Sequence, residues 1–173
     1  MSTHEHKRGI KKHFKSAVLT ISSSRYSELV NGETIDDKSG DLIRRMLEES
    51  GHEVVEYDLL PDDKLAIEVK VSQLVRGSSD VIISTGGTGL AKKDVTIEAV
   101  SPMIEKEITG FGELFRYKSV EEVGSAVVLS RAIAGVIKGK LIFCIPGSPN
   151  AVELAMSEII LPEIPHIMRH IRE

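Results

Sequence analysis

The chain is short of several things that stabilise or place proteins. A single cysteine, Cys144, leaves no internal disulfide possible and fits a reducing cytoplasm. There is no tryptophan and the aromatic fraction is 4%, so the core is expected to be built from Ile, Val, Leu and Met. That aliphatic palette suits a central parallel sheet. No apolar run reaches the length of a membrane span. There is no basic excess: the net charge is -4, which argues against a duplex-binding surface but leaves small anionic ligands open.

What remains is ordinary for a globular chain of 173 residues, with 41% hydrophobic and 28% charged residues, enough for one compact domain. The first residues are polar and basic (His4, His6, Lys7, Arg8) and lack an apolar h-region, so no signal peptide is read there. A disordered tail over 1–14 and a single domain over 15–173 are expected.

Apolar and helical periodicities alternate along the chain. Residues 15–22 (KSAVLTIS), 52–60 and 80–85 read as strands; 23–37 is polar, contains Asn31-Gly32, and reads as a long loop or flap. A helix is predicted from Lys38, with Leu42, Ile43, Met46 and Leu47 at helical spacing and Gly51 as its stop. Pro61-Asp62 opens another, with Ile67, Val71, Leu74 and Val75 on one face. A further helix is expected over 94–104, and a loop with a short helix over 109–123. Two runs, 132–137 and 140–145, flank Lys138-Gly139 as a hairpin. Ser148 and Pro149 cap and open a final helix, interrupted by Pro162 and Pro165. Alternating strands and helices imply an α/β fold of three layers, a mostly parallel sheet with helices on both faces.

Ligands in such folds bind beyond the carboxyl ends of the strands. Four segments fall there: Ser22 to Arg25, Pro61-Asp62-Asp63, Thr85 to Gly89, and Pro146 to Asn150. In Thr85-Gly86-Gly87-Thr88-Gly89 the glycines let backbone N–H groups approach a phosphate. The loop is neither a Walker A sequence nor a dinucleotide fingerprint, and a plain strand-to-helix turn would use the same residues. Asp62 and Asp94 each fit a helix N-cap; together they place two carboxylates at adjacent strand ends, a pair able to share Mg²⁺ with substrate phosphates. Lys92 and Lys93 are either charge for a polyphosphate or a solvated basic pair. Ser148, after Gly147, is either an anion contact or a simple cap. His166 and His170 have a metal-compatible spacing, but no third ligand is evident.

The order and spacing of Ser84-Thr85-Gly86-Gly87-Thr88-Gly89, Asp94-Val95-Thr96, Gly110-Phe111-Gly112-Glu113, Leu129-Ser130-Arg131 and Pro146-Gly147-Ser148-Pro149 resemble the MoaB/MogA family of molybdenum cofactor biosynthesis proteins, related to the G domain of gephyrin. The likeness spans about residues 15–161. Thr34 to Gly40 and Gly51 to Val54 look more like MoaB than MogA. The resemblance implies a molybdopterin-binding, MogA-like fold, a homotrimer or a hexamer of two trimers, and Mg-ATP-dependent adenylylation of molybdopterin ahead of metal insertion by a downstream protein. It implies catalytic and Mg²⁺-holding roles for Asp62 and Asp94. It implies nucleotide and pterin binding by Ser22, Ser23, Thr85, Gly86, Gly87, Thr88, Gly89, Gly147 and Ser148. Ser24 stands where the family often has Asp. Two alternative functions are also compatible with the sequence: a non-catalytic molybdopterin carrier or scaffold, and a CinA-like nucleotide pyrophosphatase.

Overall fold

The structure, a computed structural model, describes residues 13–173, so most of the expected tail over 1–14 lies outside the described residues. Within that stretch, Phe14 is buried in the core and its N–H meets His52 Nδ1 at 3.3 Å.

The strands are β1 (Lys15–Ile21), β2 (Glu53–Leu60), β3 (Val81–Thr85), β4 (Lys106–Glu107), β5 (Ile133–Ile137) and β6 (Lys140–Ile145). They form one sheet in the order β2-β1-β3-β6-β5-β4. The first four positions are mutually parallel; β5 and β4 are antiparallel to their neighbours. The mostly parallel α/β sheet expected from the sequence is thus present. Every residue of β3 is buried, as a strand covered on both faces requires.

Helices cover both faces. On one side α2 (Lys38–Glu49), α5 (Thr109–Val123), α6 (Pro149–Ala155) and α7 (Leu161–Arg172) pack over Val18, Ile83 and Phe143. On the other, α3 (Lys64–Arg76) and α4 (Thr96–Val100) pack over Leu19, Ile82 and Ile142. Neighbouring residues of each strand therefore feed opposite layers, the period-two rule of a pleated sheet. The four residues expected on the inner face of α3, Ile67, Val71, Leu74 and Val75, are its buried set. The core is largely aliphatic, yet all four phenylalanines are buried too, with Phe111 edge-on to Phe143 at 5.0 Å.

Local chemistry explains the boundaries. Gly51 stops α2, its N–H donating to Glu48 O and that of His52 to Leu47 O. Ser148 caps α6 by accepting the Ala151 N–H, with Pro149 in the first turn. The β5–β6 hairpin turns through Lys138 and Gly139 at φ 46 and 77, the paired positive values of a tight two-residue turn.

Four expectations are corrected. The polar stretch after β1 is not all loop: α1 (Ser23–Val30) forms, capped by Ser22 and ended at Asn31-Gly32. It buries none of its residues, so it has no apolar period to reveal it. The helix expected over 94–104 is shorter, α4 followed by a 3₁₀ turn at Ser101–Met103 that contains Pro102. The 109–123 segment is one continuous helix, α5, anchored by Phe111, Phe115 and Ser119. The prolines near the end do not break the chain: a π turn, Met156–Ile160, joins α6 to α7 directly before Pro162. The wider turn lies where Pro162 cannot continue the α-helical hydrogen-bond ladder.

Candidate functional site

The strand order doubles back at β1, with β2 on one side and β3 on the other, and this switch point gathers the residues that follow the strands. Ser23 follows β1 and Asp62 follows β2. The Ser23 N–H donates to Asp62 Oδ2 at 2.8 Å, its hydroxyl donates to the same oxygen at 2.7 Å, and the Asp62 N–H donates back to Ser23 Oγ at 2.9 Å. Asp62 is not a helix cap: Asp63 takes that place in α3, accepting from the Ala66 N–H at 2.8 Å. Asp62 Oδ1 is left facing the glycine loop, 3.0 Å from where a Cβ on Gly87 would stand.

That loop leaves β3 with Gly86 and Gly87 at φ 96 and 62, values that L side chains rarely adopt. Its carbonyls are held one by one. Thr96, fully buried at the start of α4, takes two: its hydroxyl donates to Gly86 O at 2.9 Å and its N–H to Gly87 O at 3.0 Å. Arg131 takes the next two, with Nε on Thr88 O at 2.8 Å and an Nη on Gly89 O at 2.9 Å. In a trans peptide the N–H opposes the C=O, so four anchored carbonyls fix the direction of the N–H groups of residues 87–90. Arg131 is itself braced by Glu98, at 2.6 Å and 3.1 Å. The pairing with Arg131 holds Glu98 below the usual carboxylate range.

Asp94 is not the α4 cap either; that position is Val95, which has no capping side chain. Asp94 closes a turn instead, Oδ2 accepting the Ala91 N–H at 2.9 Å. The same oxygen lies 2.5 Å from where a Cβ on Gly89 would be. Two carboxylates thus stand against two glycines of one loop, Asp62 at Gly87 and Asp94 at Gly89.

From β6 comes the fourth segment. The Thr85 hydroxyl donates to Pro146 O at 3.0 Å and the Ser39 hydroxyl, from α2, to Gly147 O at 2.7 Å. Between these walls lies a cavity of about 360 Å³, lined by the 86–89 loop, Asp94, Leu129, Ser130, Arg131, Pro146 and Gly147. Its size suits one small organic ligand. Asp62, Ser22, Ser23, Thr85 and Ser148 are not in that lining: Asp62 stands against Gly87 outside it, Ser23 and Thr85 hold groups that flank it, while Ser22 and Ser148 cap α1 and α6. Lys92 and Lys93 are exposed on the loop before Asp94.

The donors suit a hard cation. Asp62 and Asp94 offer carboxylate oxygens, and among the described residues no group of three or more His, Cys, Asp or Glu could hold a metal ion. The donor type alone fits Mg²⁺, which ordinarily takes one or two carboxylates and completes its shell with substrate phosphates and water.

Two contributors were missed in the sequence reading. Arg131 lies in the Leu129-Ser130-Arg131 motif, but nothing local says that its guanidinium reaches a loop more than forty residues earlier. Asp37, buried at the start of α2, accepts the Thr20 and Tyr57 hydroxyls at 2.5 Å each and the Gly40 N–H at 3.1 Å. Burial, then the bond to Asp37, holds the Tyr57 hydroxyl protonated well above its usual range. This network fixes the amino end of α2, from which Ser39 reaches Gly147.

Comparison with known proteins gives a consistent picture. A family model described as a probable molybdopterin binding domain matches residues 17–166. The chain is 47% identical over 169 residues to molybdenum cofactor biosynthesis protein B of Bacillus cereus, covering 96% of each chain. It is 48% identical over 160 residues to the protein of the same name from Staphylococcus aureus, covering 91% of each. Among solved structures, the tungsten cofactor synthesizing protein MoaB from Pyrococcus furiosus superposes with a TM-score of 0.84 at 43% identity, over 94% of this chain and 99% of that one.

Proposed function

Since the chain belongs to the MoaB/MogA family of molybdenum cofactor biosynthesis proteins, we propose that its cleft binds molybdopterin and Mg-ATP and adenylylates the pterin. A terminal phosphate oxygen of molybdopterin attacks the α-phosphorus of ATP. A new P–O bond forms, the bond to the bridging oxygen breaks, and pyrophosphate leaves.

The observation that carries this reading is the placement of Asp62 and Asp94 against Gly87 and Gly89 of one loop, beside a cavity at the strand ends. The chemistry brings anionic phosphates together and asks for positioning and charge neutralisation rather than a protein nucleophile. Mg²⁺, held through Asp62 and Asp94, would supply the positive charge that lets two phosphates approach. The loop supplies preorganised N–H groups, because Thr96 and Arg131 keep its carbonyls turned. Ser23 occupies one oxygen of Asp62 and so presents the other.

The protein is proposed to work in the cytoplasm, where Cys144 would stay reduced, as a trimer or pair of trimers that hands its product to a metal-insertion protein. Among the described residues no helix is long and apolar enough to cross a membrane. A strip of exposed apolar side chains, Tyr117, Val120 and Val123 on α5 with Val128 and Leu129 after it, supports burial against a second copy.

Incubating the protein with Mg-ATP and molybdopterin, then assaying adenylylated pterin and pyrophosphate, tests the proposal. Tight pterin binding without turnover would replace it with the carrier function; AMP release without pterin would replace it with a pyrophosphatase.

A further inference from the structure

On α7, away from the cleft, His166 and His170 stand one turn apart with their Nε2 atoms 3.1 Å from each other. Their rings are 4.9 Å apart between centroids and inclined at 60°. The other nitrogen of each ring meets a carboxylate. His166 Nδ1 is 3.2 Å from Glu163 Oε2, and His170 Nδ1 is 3.3 Å from Glu173 Oε2, whose second oxygen accepts from Arg169 Nε at 2.9 Å.

Counting hydrogens exposes a deficit. An ionised carboxylate only accepts, so each Nδ1 must carry the hydrogen that it donates. A neutral imidazole has one N–H, which leaves a lone pair on each Nε2, with the two atoms 3.1 Å apart. Three contacts, Glu163 to His166, His166 to His170 and His170 to Glu173, need three hydrogens where two neutral rings supply two. The gap between the two Nε2 atoms is closed either by one added proton, which makes one ring an imidazolium, or by a metal ion that both lone pairs bind.

We infer that this pair is a binding site for one divalent transition-metal ion of the class that prefers imidazole: Zn²⁺, Ni²⁺ or Cu²⁺. Two bonds of about 2.0–2.1 Å place their nitrogens about 3.3 Å apart at a tetrahedral angle and about 2.9 Å apart at a right angle. The observed 3.1 Å lies between, so the nitrogen spacing already matches that of two imidazoles on one metal. Glu163 and Glu173 then act as the carboxylates that orient metal-bound histidines through their second nitrogen. The side chains of His166 and His170 are 40% and 62% exposed, which leaves the remaining coordination positions to water. The oxygen-only pair Asp62 and Asp94 suits Mg²⁺, so the two sites sort metals by ligand softness.

The test uses the full chain and Ni²⁺ by titration calorimetry, with Cu²⁺ electron paramagnetic resonance to count coordinated nitrogens. One Ni²⁺ per chain is expected, with affinity falling at least tenfold in His166→Gln and in His170→Gln, and roughly tenfold in Glu163→Gln. The Cu²⁺ spectrum should report two imidazole nitrogens, one of them lost in His170→Gln. Thermal unfolding of the metal-free variants should match the parent, because these side chains are exposed. His4→Gln with His6→Gln serves as the control for histidines near the amino terminus and should leave binding intact. Absence of saturable binding, binding that survives His170→Gln, or binding abolished by the His4 and His6 changes would each overturn the assignment.

Discussion

Ser23 holds Asp62 by one oxygen, giving that atom both its N–H and its hydroxyl while its own Oγ accepts the Asp62 N–H. The consequence is directional: one carboxylate oxygen is occupied by protein, and the other faces Gly87. A helix cap would have used the side chain on its own helix, as Asp63 does.

Replacing Asp62 or Asp94 with Asn tests this division. The amide oxygen can still accept from Ser23 or from the Ala91 N–H, so both variants should fold and bind molybdopterin. Adenylyl transfer should fall about a hundredfold or more, the scale of losing one electrostatic contact in an active site. The assay belongs in a Mg²⁺ titration, where partial recovery at high Mg²⁺ is expected. Parental rates in both variants would remove the aspartates from the mechanism.

Gly87→Val should abolish nucleotide or pterin binding. A Cβ there would press on the Thr96 hydroxyl that anchors Gly86 O, at a φ of 62. The left-handed backbone alone costs about 1–2 kcal/mol for a residue with a Cβ. Unchanged affinity for both ligands would reduce the loop to a structural turn.

Arg131→Lys keeps the charge and loses the planar fork that reaches Thr88 O, Gly89 O and Glu98 together. A net loss of about 1 kcal/mol is expected for a weakened hydrogen bond, lowering Tm by about 2–4 °C in a domain of this size. Ligand affinity should fall with it. Calorimetric unfolding and ligand titration on the same sample decide whether loop order and binding move together.

Multi-angle light scattering should give a mass three or six times the 19.0 kDa chain. Val120→Glu, placed in the exposed apolar strip, should shift the protein toward smaller species. A parent protein that runs as a clean monomer would rule out the proposed assembly.

His52 predicts an acid-side weakness. It is buried against Phe14, and burial first, then the nearby His13, lowers its pKa below 6.5. The folded state resists protonation more than the unfolded chain does. Its contribution to stability is therefore complete above about pH 6.5 and lost as pH falls through the lower folded value. Melting temperature should decline from pH 7 toward pH 5, and His52→Gln should flatten that decline. Equal slopes in the two proteins would mean that other groups set the acid limb.

Much of the fold was legible because its signals are local. The aliphatic run of β3, the 3.6-residue spacing in α3, the Lys138-Gly139 turn and the Ser148-Pro149 cap each depend on residues within a few positions of one another. The glycine loop and both aspartates could be picked out for the same reason, with the family resemblance naming their roles. Where the signal was weak or broken by proline, the reading slipped: α1 buries nothing, and α7 continues through Pro165.

The sequence alone determined five of the six strands and pointed to their carboxyl ends as the candidate site, because propensity and turn chemistry act over one or two turns of chain; the two-residue β4 left no such pattern. Only the tertiary structure decided which partner each candidate residue meets. Asp62 answers to Ser23 across 39 positions, Gly147 to Ser39 across 108, and Thr88 to Arg131 across 43. Those pairings exist because parallel strands bring distant strand ends to one edge, and no local pattern records which hydroxyl or guanidinium will arrive there.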